Sequence, residues 1–237
     1  MARGFLRRII YMNIKTVIFD IDGTLYDFNY SNNLALDALR EYMKKNFGWS
    51  TEDFDREHLE TQKNIYSRMG YNGSCRDRML RYKMMLEKFS LPLFPHAVKM
   101  YELYWSTMLN TLSMYDGAEE IIKTLKEKNL RLGLGTDMTL YIQFLKLERM
   151  GLLKYFDFMN ASEEVCEEKP SKLFFDECVK KSKCPASECL FVGDNLEKDY
   201  RGAVASGLNA LLFNPNDKKI PDDVIQIHSL KEVERYL

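Results

Sequence analysis

The chain has 237 residues, with 34 Lys and Arg against 35 Asp and Glu, so its global charge gives no support to a nucleic-acid or acidic-membrane partner. It is 46% hydrophobic and 29% charged, which supplies a sizeable core within one large domain or one domain with an insertion. The five cysteines (Cys75, Cys166, Cys178, Cys184 and Cys189) show no CxxC or Cys/His ligand spacing, which argues for reduced thiols in a cytoplasmic protein and against a disulfide or zinc framework.

The first residues, "MARGFLRRIIYMNIK", place arginines beside apolar side chains but lack a long apolar segment and a small-residue cleavage site. No stretch anywhere approaches the roughly 18 apolar residues of a membrane span. Residues 1 to about 12 read as a short leader, with Met12 an alternative start. "TVIF" at 16–19 is then an apolar, β-branched run of the kind buried on both faces of a parallel sheet. It leads into "DIDGTLYD", where Asp20, Asp22 and Asp27 place like charges close together at a strand end.

From about Asn32 to Asn110 the pattern is almost purely helical. "SNNLALDALREYMKKNFG" has polar cap candidates, helical spacing at Leu36, Leu39 and Met43, and Gly48 as a stop. "TEDFDREHLETQKNIYSRMG", "GSCRDRMLRYKMMLEKF" and "PHAVKMYELYWSTMLNTL" read as three more amphipathic helices. After about Tyr115 strands and helices alternate. Asp116 and Glu119 resemble a capping box opening a helix whose buried stripe is Ile121, Ile122 and Leu125. Leu130–Gly135 is a strand, Met138–Met150 a helix stopped by Gly151, and Phe156–Met159 a short strand. Pro170 suits the first turn of a helix carrying Leu173, Phe174 and Val179. "ECLFVGD" is a buried strand, Glu197–Ser206 a helix stopped by Gly207, and "NALLF" a further strand.

Alternating β and α units imply an α/β fold, a Rossmann-like three-layer core with a parallel sheet, and the helical block interrupts it. The expected division is a core of residues 1–27 and 115–237 with an inserted all-α cap over 28–114. Ligands of open α/β sheets bind outside the carboxyl ends of the strands. Those ends deliver Asp20, Asp22, Gly23 and Thr24, then Thr136 and Asp137, then Lys169, and finally Asp194 with Asp199 one turn later. Each alone reads as a cap, a turn former or a surface residue. Their joint occurrence after successive strands points to a site.

These motifs resemble the haloacid dehalogenase superfamily of aspartate-nucleophile hydrolases: "DIDGT", "LGLGT", "EEKPS" and "FVGDNLEKD" match its four motifs in order, over roughly residues 14–27 and 115–213. The helical insertion directly after the first motif resembles the helical-cap branch, C1 or subfamily IA. The resemblance implies a phosphatase-like enzyme in which Asp20 is the nucleophile, forming an aspartyl-phosphate. Asp22 is implied as acid and base, and its backbone carbonyl as a metal ligand. Mg²⁺ is the implied cofactor, with Asp20, Asp22, Asp194 and Asp199 as its metal set, Asp199 in an outer or alternate position. Thr136 would donate to a phosphoryl oxygen, and Lys169 would neutralise charge on Asp20 and the phosphoryl group. Gly23 would permit the sharp exit that brings backbone N–H groups close to phosphate, beside Thr24.

Asp22 departs from the dehalogenase and phosphonate-cleaving branches, which lack it. Asp137 departs in the other direction, standing where asparagine is frequent, and adds a carboxylate near the substrate. In the cap, Arg76, Arg78, Arg81 and Lys83 are candidates to bind a second anionic group, Arg76 and Arg81 foremost, against the plainer reading of a solvated helix face. Tyr26, Phe28, Asn29 and Tyr30 are candidates for the entrance, and "MYELYWSTM" for aromatic packing within the cap. The expected substrate is a small phosphorylated metabolite: a sugar phosphate, a nucleotide or phosphoglycolate. A sugar phosphomutase of the β-phosphoglucomutase type shares every core residue. A non-catalytic phosphate-binding protein would have lost one of them, and none is lost. Oligomeric state is unreadable.

Overall fold

Thr16–Phe19 forms β1, buried on both faces and paired in parallel with β2 (Arg131–Thr136) on one side. In the computed structural model, which describes residues 13–237, it is one of six parallel strands. The leader expected over residues 1 to about 12, and Met12 as an alternative start, lie outside the described residues. β3 (Phe158–Ala161) pairs with β2, and β4 (Cys189–Gly193) flanks β1 on its other side. β5 (Asn209–Phe213) and β6 (Gln226–Ile227) complete the order β3-β2-β1-β4-β5-β6. The chain lays strands to one side of β1 and then to the other, so the crevice of this sheet opens at the carboxyl end of β1.

Before reaching β2 the chain builds four helices: α1 (Phe28–Phe47), α2 (Thr51–Met69), α3 (Arg78–Lys88) and α4 (His96–Asn110). Asp27 caps α1, accepting the Tyr30 N–H at 3.0 Å, which gives a structural role to the one aspartate of the opening motif that the sequence left over. The outgoing and returning passages lie side by side: the Asp27 N–H donates to Ser113 O at 3.0 Å and the Tyr115 N–H to Leu25 O at 3.1 Å.

The single helix expected over "GSCRDRMLRYKMMLEKF" is two elements. Gly73–Arg76 is a 3₁₀ turn capped by Asn72. Asp77 is then extended, and its carboxylate accepts the Met79 N–H at 2.7 Å to open α3. The break turns Arg76 and Arg81 in different directions.

The remaining helices are α5 (Ala118–Glu127), α6 (Leu140–Arg149), α7 (Ser162–Val165), α8 (Lys172–Ser182) and α9 (Gly202–Ala205). α5 opens from Gly117 in a left-handed conformation with no side-chain cap, so the capping box expected at Asp116 does not form. Instead of a regular helix over Glu197–Ser206, Leu196–Arg201 is a π-helical turn running into α9. β6 and a 3₁₀ segment at Leu230–Tyr236 were not expected, being too short to carry a periodic signal.

One hydrophobic cluster runs from Val17 and Phe19 of β1 through Leu25 and Tyr26 to Leu39, Tyr104 and Trp105 of the cap helices. The opposite sheet face packs Ile18 and Phe191 on Phe174 and Phe175 of α8. Each such buried side chain contributes roughly 1.5–3 kcal/mol. Among the described residues, no helix is long and apolar enough to cross a membrane.

Candidate active site

Asp20 leaves the end of β1 with its N–H bonded to Val192 O at 2.9 Å, which fixes it between β2 and β4. Its carboxylate accepts Lys169 Nζ at 2.7 Å. Lys169, almost wholly buried, also lies 2.7 Å from Asp199 Oδ1 and donates to Gly135 O at 3.1 Å. Asp194 stands at the end of β4, and Asp199 on the π turn that follows it.

Two glycines let these carboxylates approach. A Cβ on Gly193 would lie 2.4 Å from Asp199 Cγ, and one on Gly23, whose φ is +89°, would lie 2.6 Å from Asp194 Oδ2. Oxygens of Asp20, Asp194 and Asp199 consequently all fall within 4.8 Å of one another.

Such crowding is reflected in proton affinities. Burial, followed by the charges of Asp199, Asp194 and Asp22, pushes the Asp20 carboxyl well above the usual range, with Lys169 opposing. Asp194 is the exposed member of the group, yet the surrounding protein and Asp199 push it up to about 7. Burial works against a charge on Lys169, but Asp199, Asp20 and Asp137 outweigh it and hold the ammonium charged. Three carboxylates around one ammonium leave an excess of negative charge on oxygen donors alone. That donor set suits a hard divalent cation such as Mg²⁺ rather than a soft metal.

Asp22 sits in a different environment. Lys146 Nζ lies 2.5 Å from its Oδ1, Gln143 Nε2 donates to its Oδ2 at 3.0 Å, and the Tyr26 hydroxyl donates to it as well. Burial raises its proton affinity, but Lys146, Tyr26 and Gln143 outweigh burial and hold it below the usual carboxylate range. Gln143 Nε2 also donates to Thr136 Oγ1 at 2.6 Å. Thr136 is fully buried beneath this contact, and its own hydroxyl proton remains available.

Above these groups lies a cleft of about 250 Å³, walled on one side by Phe28, Arg76, Arg78 and Trp105 from the cap helices and the turn between them. Asp137 receives the Lys169 N–H at 2.9 Å and Lys198 Nζ at 2.8 Å. Lys198 also donates to Glu168 Oε2 at 2.8 Å, and Arg76 grips both oxygens of Glu168 at 2.6 and 2.7 Å. The cap is thus tied to the loop that carries Lys169.

Of the sequence candidates, Asp20, Asp22, Lys169, Asp194, Asp199 and Asp137 converge, with Thr136 beneath them and Gly23 against Asp194. Thr24 and Thr136 are both fully buried and neither lines the cleft; Thr136 Oγ1 meets Gln143, whereas Thr24 Oγ1 has no hydrogen-bond partner among the described residues. Arg81 is a correction: it is buried between α2 and α3, with Nη1 3.3 Å from His58 Nε2, and stands apart from the cleft. Asn29 and Tyr30 are exposed, whereas Phe28 reaches the cleft and Tyr26 holds Asp22.

Lys146, Gln143, Glu168 and Lys198 escaped the sequence reading. The readable signal for the first two was the buried stripe of α6, where Gln143 and Lys146 occupy helical positions three apart among Ile142 and Leu147.

A family model for haloacid dehalogenase-like hydrolases matches residues 14–207. Ribulose-1,5-bisphosphate 5-phosphatase of Halopiger xanaduensis is 32% identical over 85% of each chain. Pyrimidine 5'-nucleotidase YjjG of Escherichia coli is 27% identical over 93% of this chain and 96% of its own. In fold, the chain is similar to the HAD-hydrolase YfnB of Bacillus subtilis, whose crystal structure is described as bound to magnesium, with a TM-score of 0.71 at 24% identity over 93% and 96% of the two chains. A sheet edge built from these carboxylates and one buried lysine, on a chain matched by that family model through most of its length, makes the protein a member of the haloacid dehalogenase-like hydrolases.

Proposed function

We propose that the protein is a Mg²⁺-dependent phosphomonoester hydrolase acting on a small phosphorylated metabolite, with the cap drawn from residues 28–114. The observation that carries this reading is the separation of two carboxylates only two residues apart. Asp20 lies in the crowded acidic group with Lys169, and Asp22 is held apart by Lys146, Gln143 and Tyr26. Two carboxylates held by different partners can divide the work, one attacking beside Lys169 and the other transferring protons to and from the leaving oxygen and the water. Similarity to a sugar-bisphosphate phosphatase and a nucleotidase supports phosphoryl rather than carbon–halogen chemistry.

In this reading Asp20 attacks phosphorus and becomes the aspartyl-phosphate while Asp22 gives a proton to the leaving oxygen. The cleft without substrate holds Asp22 ionised, and a phosphoryl dianion brought beside it favours the protonated form needed for that step. Asp22, then ionised, takes a proton from the water that attacks phosphorus and frees phosphate and Asp20. Lys169 stays charged and steadies the oxygens on Asp20. Thr136 Oγ1 accepts from Gln143 and donates its own proton to a phosphoryl oxygen. Asp20 and Asp194, with the Asp22 backbone carbonyl, would hold Mg²⁺, and Asp199 would orient the group from behind. When bound, the cation supplies the charge neutralisation that lets an anionic nucleophile approach an anionic phosphoryl group.

Phosphate release from p-nitrophenyl phosphate and a panel of phosphorylated metabolites tests the reading. Expected are dependence on Mg²⁺, loss on chelation with EDTA, and a fall on the order of 10³-fold or more for Asp20→Asn. Equal turnover by the variant, or indifference to the chelator, overturns it.

A further inference from the structure

Five cationic side chains line the cleft: Arg76, Arg78, Lys146, Lys169 and Lys198. Four of them face carboxylates: Lys169 meets Asp20 and Asp199, Lys146 meets Asp22, Lys198 meets Asp137 and Glu168, and Arg76 meets Glu168. Arg78 alone has no carboxylate in ion-pair reach among the described residues. Its guanidinium donates to Arg76 O at 3.0 Å and to the Tyr104 hydroxyl at 3.4 Å. It lies 5.0 Å from the centre of the Tyr104 ring and 5.9 Å from that of Trp105.

The Tyr104 hydroxyl is itself anchored on Asn32 Oδ1 at 2.7 Å, so the guanidinium is held in place before any ligand arrives. Two of its five N–H donors are engaged by these neutral partners. Burial works against its charge, but Tyr104 and Tyr82 outweigh burial and keep the guanidinium charged, with Arg76 and Lys146 adding charge of its own sign. Its Nε is buried with no hydrogen-bond partner among the described residues, and a planar guanidinium fork with unengaged donors is shaped for an oxyanion.

Granting that the floor of the cleft holds a phosphomonoester, we propose that Arg78 is the specificity-determining residue of this site and binds a second anionic group, phosphate or carboxylate, carried by the same substrate. Two anion positions within a cleft of about 250 Å³ define a small metabolite charged at both ends, such as a sugar bisphosphate or a phosphorylated carboxylic acid. A nucleoside monophosphate, whose far end is a neutral base, leaves Arg78 unmatched.

Two substrate pairs differing only in the second anion test this: ribulose 1,5-bisphosphate against ribulose 5-phosphate, and 3-phosphoglycerate against glyceraldehyde 3-phosphate. The wild type should favour the doubly anionic member of at least one pair by about tenfold or more in kcat/KM, the scale of a charge-assisted hydrogen-bonded pair. Arg78→Gln should bring that ratio close to one, mainly through KM, and Arg78→Lys should restore part of it. The responding pair tells phosphate from carboxylate.

Calorimetric titration of Asp20→Asn, with and without Arg78→Gln, reads the same preference without turnover. A preference in binding that Arg78→Gln abolishes supports the assignment even if no phosphate is released, in which case the hydrolase reading is the one that fails. No preference in binding or turnover, or equal loss on both members of a pair in Arg78→Gln, overturns the assignment of Arg78.

Discussion

The floor and the ceiling of the cleft are built on different principles. On the floor, Asp20, Thr136 and Asp194 stand at strand ends, where the hydrogen-bond register of β1, β2 and β4 fixes them to within a residue. In the ceiling, three arginines within six residues meet three fates: Arg76 grips Glu168, Arg78 faces the cleft, and Arg81 lies buried against His58. Asp77, which ends a 3₁₀ turn and starts α3, separates Arg76 from the other two, and three positions along α3 separate Arg78 from Arg81. Position along a strand places chemistry reliably; position along a basic stretch does not until the break is known.

The largest effect is expected at the floor. Lys169→Met leaves Asp20 and Asp199 buried with no cation, so thermal unfolding in chelator should show a loss of about 3–5 kcal/mol. Phosphate release should fall by orders of magnitude at the same time. An unfolding midpoint equal to that of the wild type would mean that Lys169 does not hold the acidic group together.

Glu168→Gln addresses the tie between floor and ceiling. It removes the charge that Arg76 and Lys198 share, and with both partners partly exposed the expected cost is about 2 kcal/mol. Burial raises the proton affinity of Glu168, but Arg76 and Lys198 outweigh it and hold the carboxyl below the usual range. Its contribution is therefore complete above the unfolded value of about 4.3 and is lost as pH falls through the lower folded value. Denaturation at several pH values should show a constant gap between wild type and variant near neutrality, closing in acid. A gap that widened in acid would contradict the pairing.

Asp27→Ala makes the smallest change, the loss of one helix cap, and should cost about 1 kcal/mol with little effect on phosphate release. A large kinetic effect would show that the start of α1 positions the cleft rather than merely the helix.

Most of the fold was legible in the sequence because buried parallel strands are apolar runs and their ends carry the polar residues. "TVIF" followed by "DID", and "LFVG" followed by Asp194, need no tertiary information. Lys146 and Gln143 were missed because a lysine and a glutamine on a helix read as surface until the helix is docked. Here α6 turns both inward onto Asp22. Arg81 was misplaced for the converse reason. Its position in a charged run gave no sign that burial beside His58 awaited it, where burial and the charges of Arg81 and Arg78 hold the imidazole down at about 2 and keep it neutral. The π turn at Leu196–Arg201 has no sequence signature at all, yet it lays Asp199 against Gly193.

The paired passages at Asp27–Ser113 and Leu25–Tyr115 have a mechanical consequence. Two passages bonded edge to edge at these points are joined as one connection. Any swing of α1–α4 relative to the sheet must flex both passages together. Neither passage can slide along the other without breaking these bonds, which couples the position of the ceiling to that of the strand end carrying Asp20.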